Sequence, residues 1–221
     1  MLNNIKKIIL CATVVIALAA CKSKTNNTGT TDTAANKAEV SKTAPDAVAN
    51  NTPVSTGKFD INTIPVSDKN LDKFPYLSPP EKYTYNYDKE IKPESIRDVD
   101  KEYFAVNGKL LLQEGKTFKA HIEKDRSDGK KFNSIQVGKY YDEAIKALGG
   151  VQVNNVSVPK TQIDSVGNPE LIDKRYGYSI DYNLLDNIKT YVIRTKTKQV
   201  WIQMTLMNDE TGKITVLEKA I

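Results

Sequence analysis

Apolar residues alternate with polar residues along much of the chain beyond residue 58, which is the pattern of β-strands with one buried face. In one such stretch Phe118, Ala120 and Ile122 alternate with polar neighbours. Asn107-Gly108, between two short apolar runs, is the strongest local signal for a tight β-hairpin. Three more strands are predicted near the C-terminus, in IKTYVIRTK, QVWIQMTLMN and KITVLEK. We therefore expect a largely antiparallel sheet.

A different periodicity, with apolar side chains three and four residues apart, predicts one main helix at about residues 136–149. Its apolar stripe consists of Val137, Tyr141, Ala144, Ile145 and Leu148. Gly149-Gly150 follows as a left-handed cap. Asn168-Pro169 predicts a short second helix to about Arg175, with the asparagine as N-cap and the proline at the first position. This order of elements predicts an α+β fold with the helices on one face of the sheet.

The N-terminal segment has the pattern of an export signal. Lys6 and Lys7 precede an apolar run from Ile8 to Ala20, which is shorter than the roughly 20 residues that span a bilayer. The run ends in Leu18-Ala19-Ala20-Cys21, which fits a bacterial lipobox. A thiol at this position can accept a diacylglyceryl group, and cleavage before it exposes an amino group for a further acyl chain. We predict that residues 1–20 are a lipoprotein signal peptide and that Cys21 is lipidated.

Behind Cys21 the chain is rich in Thr, Asn, Ala, Ser and Lys and lacks aromatic residues as far as residue 57. Such a segment buries too little apolar area to offset the entropy of ordering, so residues 21–57 are predicted to be the lipidated cysteine and a flexible tether. Residues 58–221 are then a single α+β domain. Cys11 leaves with the signal, so the mature chain has no second cysteine for a disulfide.

In bacterial lipoproteins generally, an aspartate after the lipidated cysteine favours retention in the inner membrane, and acidic runs near the anchor mark surface export in some lineages. Lys22 occupies that position here, and no acidic cluster follows it. By this resemblance the protein is expected on the outer membrane, lipid-anchored and facing the periplasm. Its partner is then the membrane, through Cys21.

Three stretches resemble the N-terminal region of envelope lipoproteins classed with the outer-membrane protein A family: EYFAVNGKLLLQEGKTFKAHIEK, KYYDEAIKALGGVQV and KTYVIRTKTKQVWIQMTLMNDETGKITVLEK. The resemblance covers roughly residues 72–220 and implies an envelope location and the fold of that region. In the family a peptidoglycan-binding domain commonly follows. No stretch like NxxLSxxRA occurs here, so the resemblance does not imply that partner.

The net charge of +5 includes Lys6 and Lys7 of the signal and is too small to indicate nucleic-acid binding. His121 is the only histidine, and strand alternation places it toward solvent. No G-x-S-x-G stretch accompanies it, and neither phosphate-loop motif occurs. We therefore predict no catalytic residues, no metal and no cofactor.

Two groups of charged residues have alternative interpretations. The acidic stretches DVDKE and DRSDG are predicted to be solvated turns, with calcium binding as the alternative. They contain Asp98, Asp100, Glu102, Asp125 and Asp128. Arg194, Lys196 and Lys198 lie at a predicted hairpin tip, where the alternative to solvation is a site for an anion or a lipid headgroup.

Aromatic residues are the remaining candidates for a binding surface. Strand alternation places Tyr83, Tyr85 and Tyr87 on one face, and Trp201 lies opposite the main apolar face of its strand. These rings either pack in the fold or form a surface for another envelope protein or a glycan. The expected function is that of a non-catalytic binding or structural module of the cell envelope. The alternative is a small periplasmic hydrolase or carbohydrate-active enzyme.

Overall fold

Seven β-strands form one antiparallel sheet in the computed structural model of the protein, which describes residues 59–221. The predicted signal peptide, Cys21 and the tether lie outside the described residues. The strands are β1 (Tyr83–Tyr85), β2 (Ile96–Val106), β3 (Lys109–Lys124), β4 (Val151–Asn154), β5 (Ile188–Arg194), β6 (Lys198–Met207) and β7 (Thr211–Ala220). Their order is β1-β3-β7-β6-β5-β4, and β2 pairs with β3. With its few helices, the protein has the predicted α+β fold.

The main helix, α1 (Ser134–Ala147), begins two residues earlier than predicted because Asn133 caps it. The Asn133 side chain accepts a hydrogen bond from the backbone N–H of Gln136 at 2.9 Å. Gly149 has the left-handed backbone expected of the residue that ends the helix, with φ of 81°. The predicted stripe packs on the sheet, with Val137, Tyr141 and Ile145 fully buried.

The second helical region differs from the prediction. A helix that the sequence analysis missed, α2 (Lys160–Val166), precedes a π-helical turn at Pro169–Asp173. Asn168 makes no capping hydrogen bond through its side chain. The buried side chains Ile163 and Leu171 share a core with Ile188, and this core is separate from the one that α1 packs on. Both segments therefore lie on the face of the sheet opposite α1. The expectation that the helices share one face of the sheet is therefore wrong.

The β2–β3 hairpin folds over this second face of the sheet, which we call the hairpin face. Its tip, Asn107-Gly108, has the left-handed backbone of a tight hairpin turn, as predicted. Asn107 N–H donates to the carbonyl of Val153 in β4 at 3.0 Å. Gly115 of β3 allows the hairpin to lie close to β7, because a Cβ at this position would overlap the carbonyl oxygen of Glu218. Phe104 and Trp201 meet beneath the hairpin, with ring centroids 5.5 Å apart.

The N-terminal segment before β1 is mostly irregular, as its prolines predict, apart from a 3-10 turn at Ile61–Thr63. Phe59 packs edge-on against Trp201, with centroids 5.5 Å apart. Arg194 holds the segment by donating to the carbonyls of Asn62 and Ile64 at 3.2 and 3.3 Å. Arg194 is therefore a structural clamp and not a solvated tip residue.

Candidate functional site

The predicted surface of four aromatic rings does not form. Tyr83, Tyr85 and Trp201 are only 5%, 3% and 1% exposed, so these three rings pack in the interior. Tyr87 is 53% exposed but lies outside β1. Asn86 and Tyr87 both have left-handed backbone, with φ of 55° and 62°, so the chain turns before Tyr87 and strand alternation ends. Of the two interpretations left open for these rings, packing holds for all but Tyr87.

Tyr85 nevertheless belongs to a concave surface, because it lines a groove beside β1. The Tyr141 hydroxyl donates to the Tyr85 hydroxyl at 2.9 Å, and the Tyr85 hydroxyl lies 3.4 Å from the Leu77 carbonyl oxygen, to which it donates. Burial raises the pKa of both tyrosines well above the usual value. Both rings stay neutral, and the Tyr85 ring is held in place at the base of the groove.

This groove, which we call the N-terminal groove, has a volume of about 820 Å³, within the range of protein ligand sites. The segment before β1 forms one wall, and the residues between β1 and β2 form the other. Apolar lining residues include Phe74, Leu77 and Ile96. Pro75, Pro79 and Pro93 stiffen the walls, because proline fixes its own φ.

Electrostatically, the rim of the N-terminal groove carries more acidic than basic side chains. Its acidic residues are Asp72, Asp88, Glu90 and Asp98, and its basic residues are Lys73 and Lys89. Asp88 forms an ion pair with Lys92 at 2.9 Å. The other three carboxylates have no ion-pair partner among residues 59–221. The rim therefore favours a cation at Asp72, Glu90 and Asp98, whereas the Phe74 side of the groove already has Lys116 Nζ 5.3 Å from the ring centroid.

One end of the N-terminal groove is held by contacts to the sheet. Tyr76 has a left-handed backbone, with φ of 70°, and its hydroxyl donates to the Glu218 carboxylate. Lys198 lies 2.8 Å from the same carboxylate, so Lys198 is also not a solvated tip residue. Burial raises the pKa of Tyr76, and its hydrogen bond to Glu218 adds to the rise. These contacts fix the wall that Tyr76 belongs to.

A second polar cluster, which was not predicted from the sequence, lies on the hairpin face of the sheet. Glu102 is fully buried, and its Oε1 accepts hydrogen bonds from the N–H and hydroxyl of Ser179, both at 2.9 Å. Its Oε2 lies 3.1 Å from Lys119 Nζ, an ion pair without hydrogen-bond geometry. Asp100 Oδ2 is also 3.1 Å from Lys119 Nζ. The predicted solvated turn at Asp98–Glu102 is thus wrong for Asp100 and Glu102, which pair with a lysine inside the fold.

The second acidic stretch forms a turn, as predicted, but the Asp128 side chain is only 7% exposed and is therefore not solvated. Asp125 Oδ1 accepts from the Ser127 N–H at 2.9 Å. Asp128 lies 2.8 Å from Lys124, and its pKa is lowered by that contact. Local partners therefore occupy both carboxylates. Within the described range, no three His, Cys, Asp or Glu side chains come together as a metal-binding group.

The sequence analysis placed His121 toward solvent, but its side chain is half-buried. Its ring packs edge-on against Tyr178, with centroids 5.7 Å apart, and its Nδ1 is 3.9 Å from the Glu123 carboxylate. Burial lowers the pKa of His121, Glu123 opposes this, and Lys213 and Arg175 add to the lowering. The net effect is a lowered pKa, which favours the neutral imidazole.

Across residues 59–221 no helix has the length and apolar character needed to cross a membrane. A sequence signal for the N-terminal groove existed in the cluster of Pro75, Pro79 and Tyr85. No such signal marked the buried pair, because Glu102 was predicted to lie in a solvated turn and Lys119 on the polar face of a strand. Comparison of the chain with protein-family models, curated proteins and solved structures finds no match.

Proposed function

We propose that the protein is a lipid-anchored module of the bacterial cell envelope that binds another envelope protein in the N-terminal groove. The observation that carries this proposal is the groove itself, about 820 Å³, with prolines in its walls and a lining that mixes apolar and charged side chains. A rigid concave surface loses little entropy on binding. The proposal is for binding without catalysis.

The occupant is a basic segment of a partner protein. Asp72, Glu90 and Asp98 lie on the rim without ion-pair partners in the described part of the chain. Lys or Arg side chains of a partner would supply the missing charges, while the floor around Phe74 and Ile96 accepts apolar side chains between them. A neutral glycan would donate hydroxyl hydrogen bonds to these carboxylates but would supply no positive charge to balance them.

Anchoring through Cys21 is the second part of the proposal, supported by the lipobox and the short apolar run before it. Cys21→Ser is expected to move the protein from the membrane to the soluble fraction, measured by fractionation and carbonate extraction. A Ser variant that stays in the membrane fraction would contradict the anchor.

Photocrosslinking in cells tests the groove. A photoreactive residue at Ile91, on the groove lip and 37% exposed, is expected to capture a protein. The matched control is Val156, also apolar and 43% exposed but away from the groove. Combined Asp72→Asn and Asp98→Asn substitutions should reduce capture at Ile91. Equal capture at both positions, capture of a glycan alone, or no effect of the Asn substitutions would refute the proposal.

A further inference from the structure

A smaller cleft, which we call the Tyr178 cleft, opens next to the buried Glu102–Lys119 pair and apart from the N-terminal groove. Its volume is about 320 Å³, near the lower end of the range for small-ligand sites. The π-helical turn and the residues after it form one side, and Lys213 of β7 contributes to the other. Ile172 and Tyr182, which are 50% and 38% exposed, provide apolar and aromatic surface at the opening.

The backbone at this cleft is held in an unfavourable conformation by buried charges. Arg175 has a left-handed backbone, with φ of 58°, which a residue with a side chain rarely adopts. Its carbonyl accepts a hydrogen bond from Lys119 Nζ at 3.0 Å. Lys119 is fixed in turn by the carboxylates of Asp100 and Glu102. Conformations of this kind persist where the surroundings impose them, and they concentrate at functional sites.

The backbone conformation positions the Arg175 side chain, which is a cation available to a ligand. The Arg175 guanidinium lies over the Tyr178 ring at 5.5 Å and forms no ion pair with a carboxylate of residues 59–221. A guanidinium stacked on a ring keeps its N–H groups free to bind an anion in two-point fashion. Lys213 is the second cation of the cleft, where it pairs with Asp181 at 3.5 Å, so Arg175 is the cation of the cleft that has no carboxylate partner within residues 59–221.

Hydrogen-bonding groups and nearby charges complete the surroundings. The Tyr178 hydroxyl and the Asn183 side chain form no hydrogen bond within the described range, so both are open to a ligand. The charged neighbours include Asp181, which pairs with Lys213, and Glu123, whose carboxylate is 3.9 Å from His121 Nδ1. Both carboxylates thus face another group, whereas Arg175 has no anionic partner.

We infer that the Tyr178 cleft binds a carboxylate carried on a small ring, with the carboxylate at Arg175 and Lys213 and the ring against Ile172 and Tyr182. The volume suits one ring with its acid group. This site is separate from the N-terminal groove and stands whether or not the groove binds a protein.

NMR titration of the purified full-length protein tests the inference with two pairs of probes. Benzoate is compared with benzamide, and glucuronate with glucose, so that each acid has an uncharged counterpart of similar shape. At least one acid is expected to bind about tenfold or more tightly than its counterpart, because charge-assisted hydrogen bonds are the stronger ones. Amide shifts should map to residues 175–183. The better-binding pair tells an aromatic acid from a sugar acid.

Arg175→Asn is the main variant, because asparagine tolerates a left-handed backbone. It should weaken binding of the preferred acid about tenfold or more. Arg126→Asn is the matched control, since Arg126 also stacks on a tyrosine, Tyr87, at 4.3 Å but does not line the Tyr178 cleft. It should leave binding unchanged. Where Arg175→Asn does not fold, Lys213→Gln decides in its place, with loss of affinity expected.

Several results would overturn the inference. These are equal affinity for acids and neutral counterparts, no binding of any probe, amide shifts elsewhere in the protein, or the same loss of affinity in Arg126→Asn. Retained affinity in a folded Arg175→Asn protein would also overturn it.

Discussion

Lys119→Met is expected to destabilise the protein strongly, because Lys119 neutralises buried carboxylates. Its ammonium lies 3.1 Å from both Glu102 and Asp100, and it also donates to the carbonyls of Lys101 and Arg175 at 2.9 and 3.0 Å. Breaking a buried ion pair by removing one partner costs about 3–5 kcal/mol. That cost is a large share of the roughly 5–15 kcal/mol by which domains are stable.

The loss in Lys119→Met should depend on pH in a defined direction. Burial raises the pKa of Glu102, and Lys119 opposes this rise. Without the lysine, the folded-state pKa moves further above the unfolded value, so the folded protein binds this proton more tightly than the unfolded chain does. The free energy of unfolding of the variant should therefore recover as the pH falls from about 7 toward about 4, the range between a raised carboxyl pKa and the unfolded one.

Urea denaturation followed by fluorescence of Trp201, the single tryptophan, measures these free energies at each pH. Lys101→Met is the control, because Lys101 pairs with Glu114 at 3.1 Å on the exposed side of the hairpin. Its stability should match that of the unmodified protein. A loss below about 1 kcal/mol in Lys119→Met, an equal loss in Lys101→Met, or a loss independent of pH would refute the reasoning.

Three further substitutions test the packing. Ile145→Ala should cost about 2–5 kcal/mol by leaving a cavity between α1 and the sheet, measured by the same denaturation, and a loss near zero would contradict that contact. Gly115→Ala should destabilise the protein or prevent folding, visible in circular dichroism, because its Cβ would overlap the Glu218 carbonyl oxygen. Arg194→Met should release residues 61–64, so that limited proteolysis cuts there faster, and an unchanged cleavage pattern would argue against the clamp.

The regular elements were predictable from local pattern because their apolar residues follow one period along the sequence, although the polar face of the central strands is buried as well. The stripe Val137 to Leu148 and the strands β5, β6 and β7 are examples. α2 was not predicted, since Ile163 is its one buried residue and Val166 is the only other apolar residue in it. The π-helical turn was predicted as a helix from Asn168-Pro169, because local signals for a helical start do not specify the hydrogen-bond register.

The candidate sites were less predictable, because they depend on contacts between distant segments. Glu102 was predicted to lie in a solvated turn and Lys119 on the polar face of a strand, but Glu102 is buried against Ser179, which lies 77 residues away in the sequence. The same alternation placed Trp201 away from the main core, which is correct, but the hairpin then encloses the ring. Tyr87 does not lie on the face that strand alternation predicted for it, because the left-handed backbone of Asn86 and Tyr87 turns the chain.

The hydrogen bond from the Asn107 N–H to the Val153 carbonyl protects the protein from adding strands of other chains. β4 is the last strand in the sheet order, and its outer edge is a template for aggregation unless something covers it. The hairpin tip covers it, and Gly108 N–H adds a bond to the Asn154 side chain, 46 residues away, at 2.8 Å. Because such distant contacts form late in folding, a chain whose tip has not yet docked exposes this edge to a second copy.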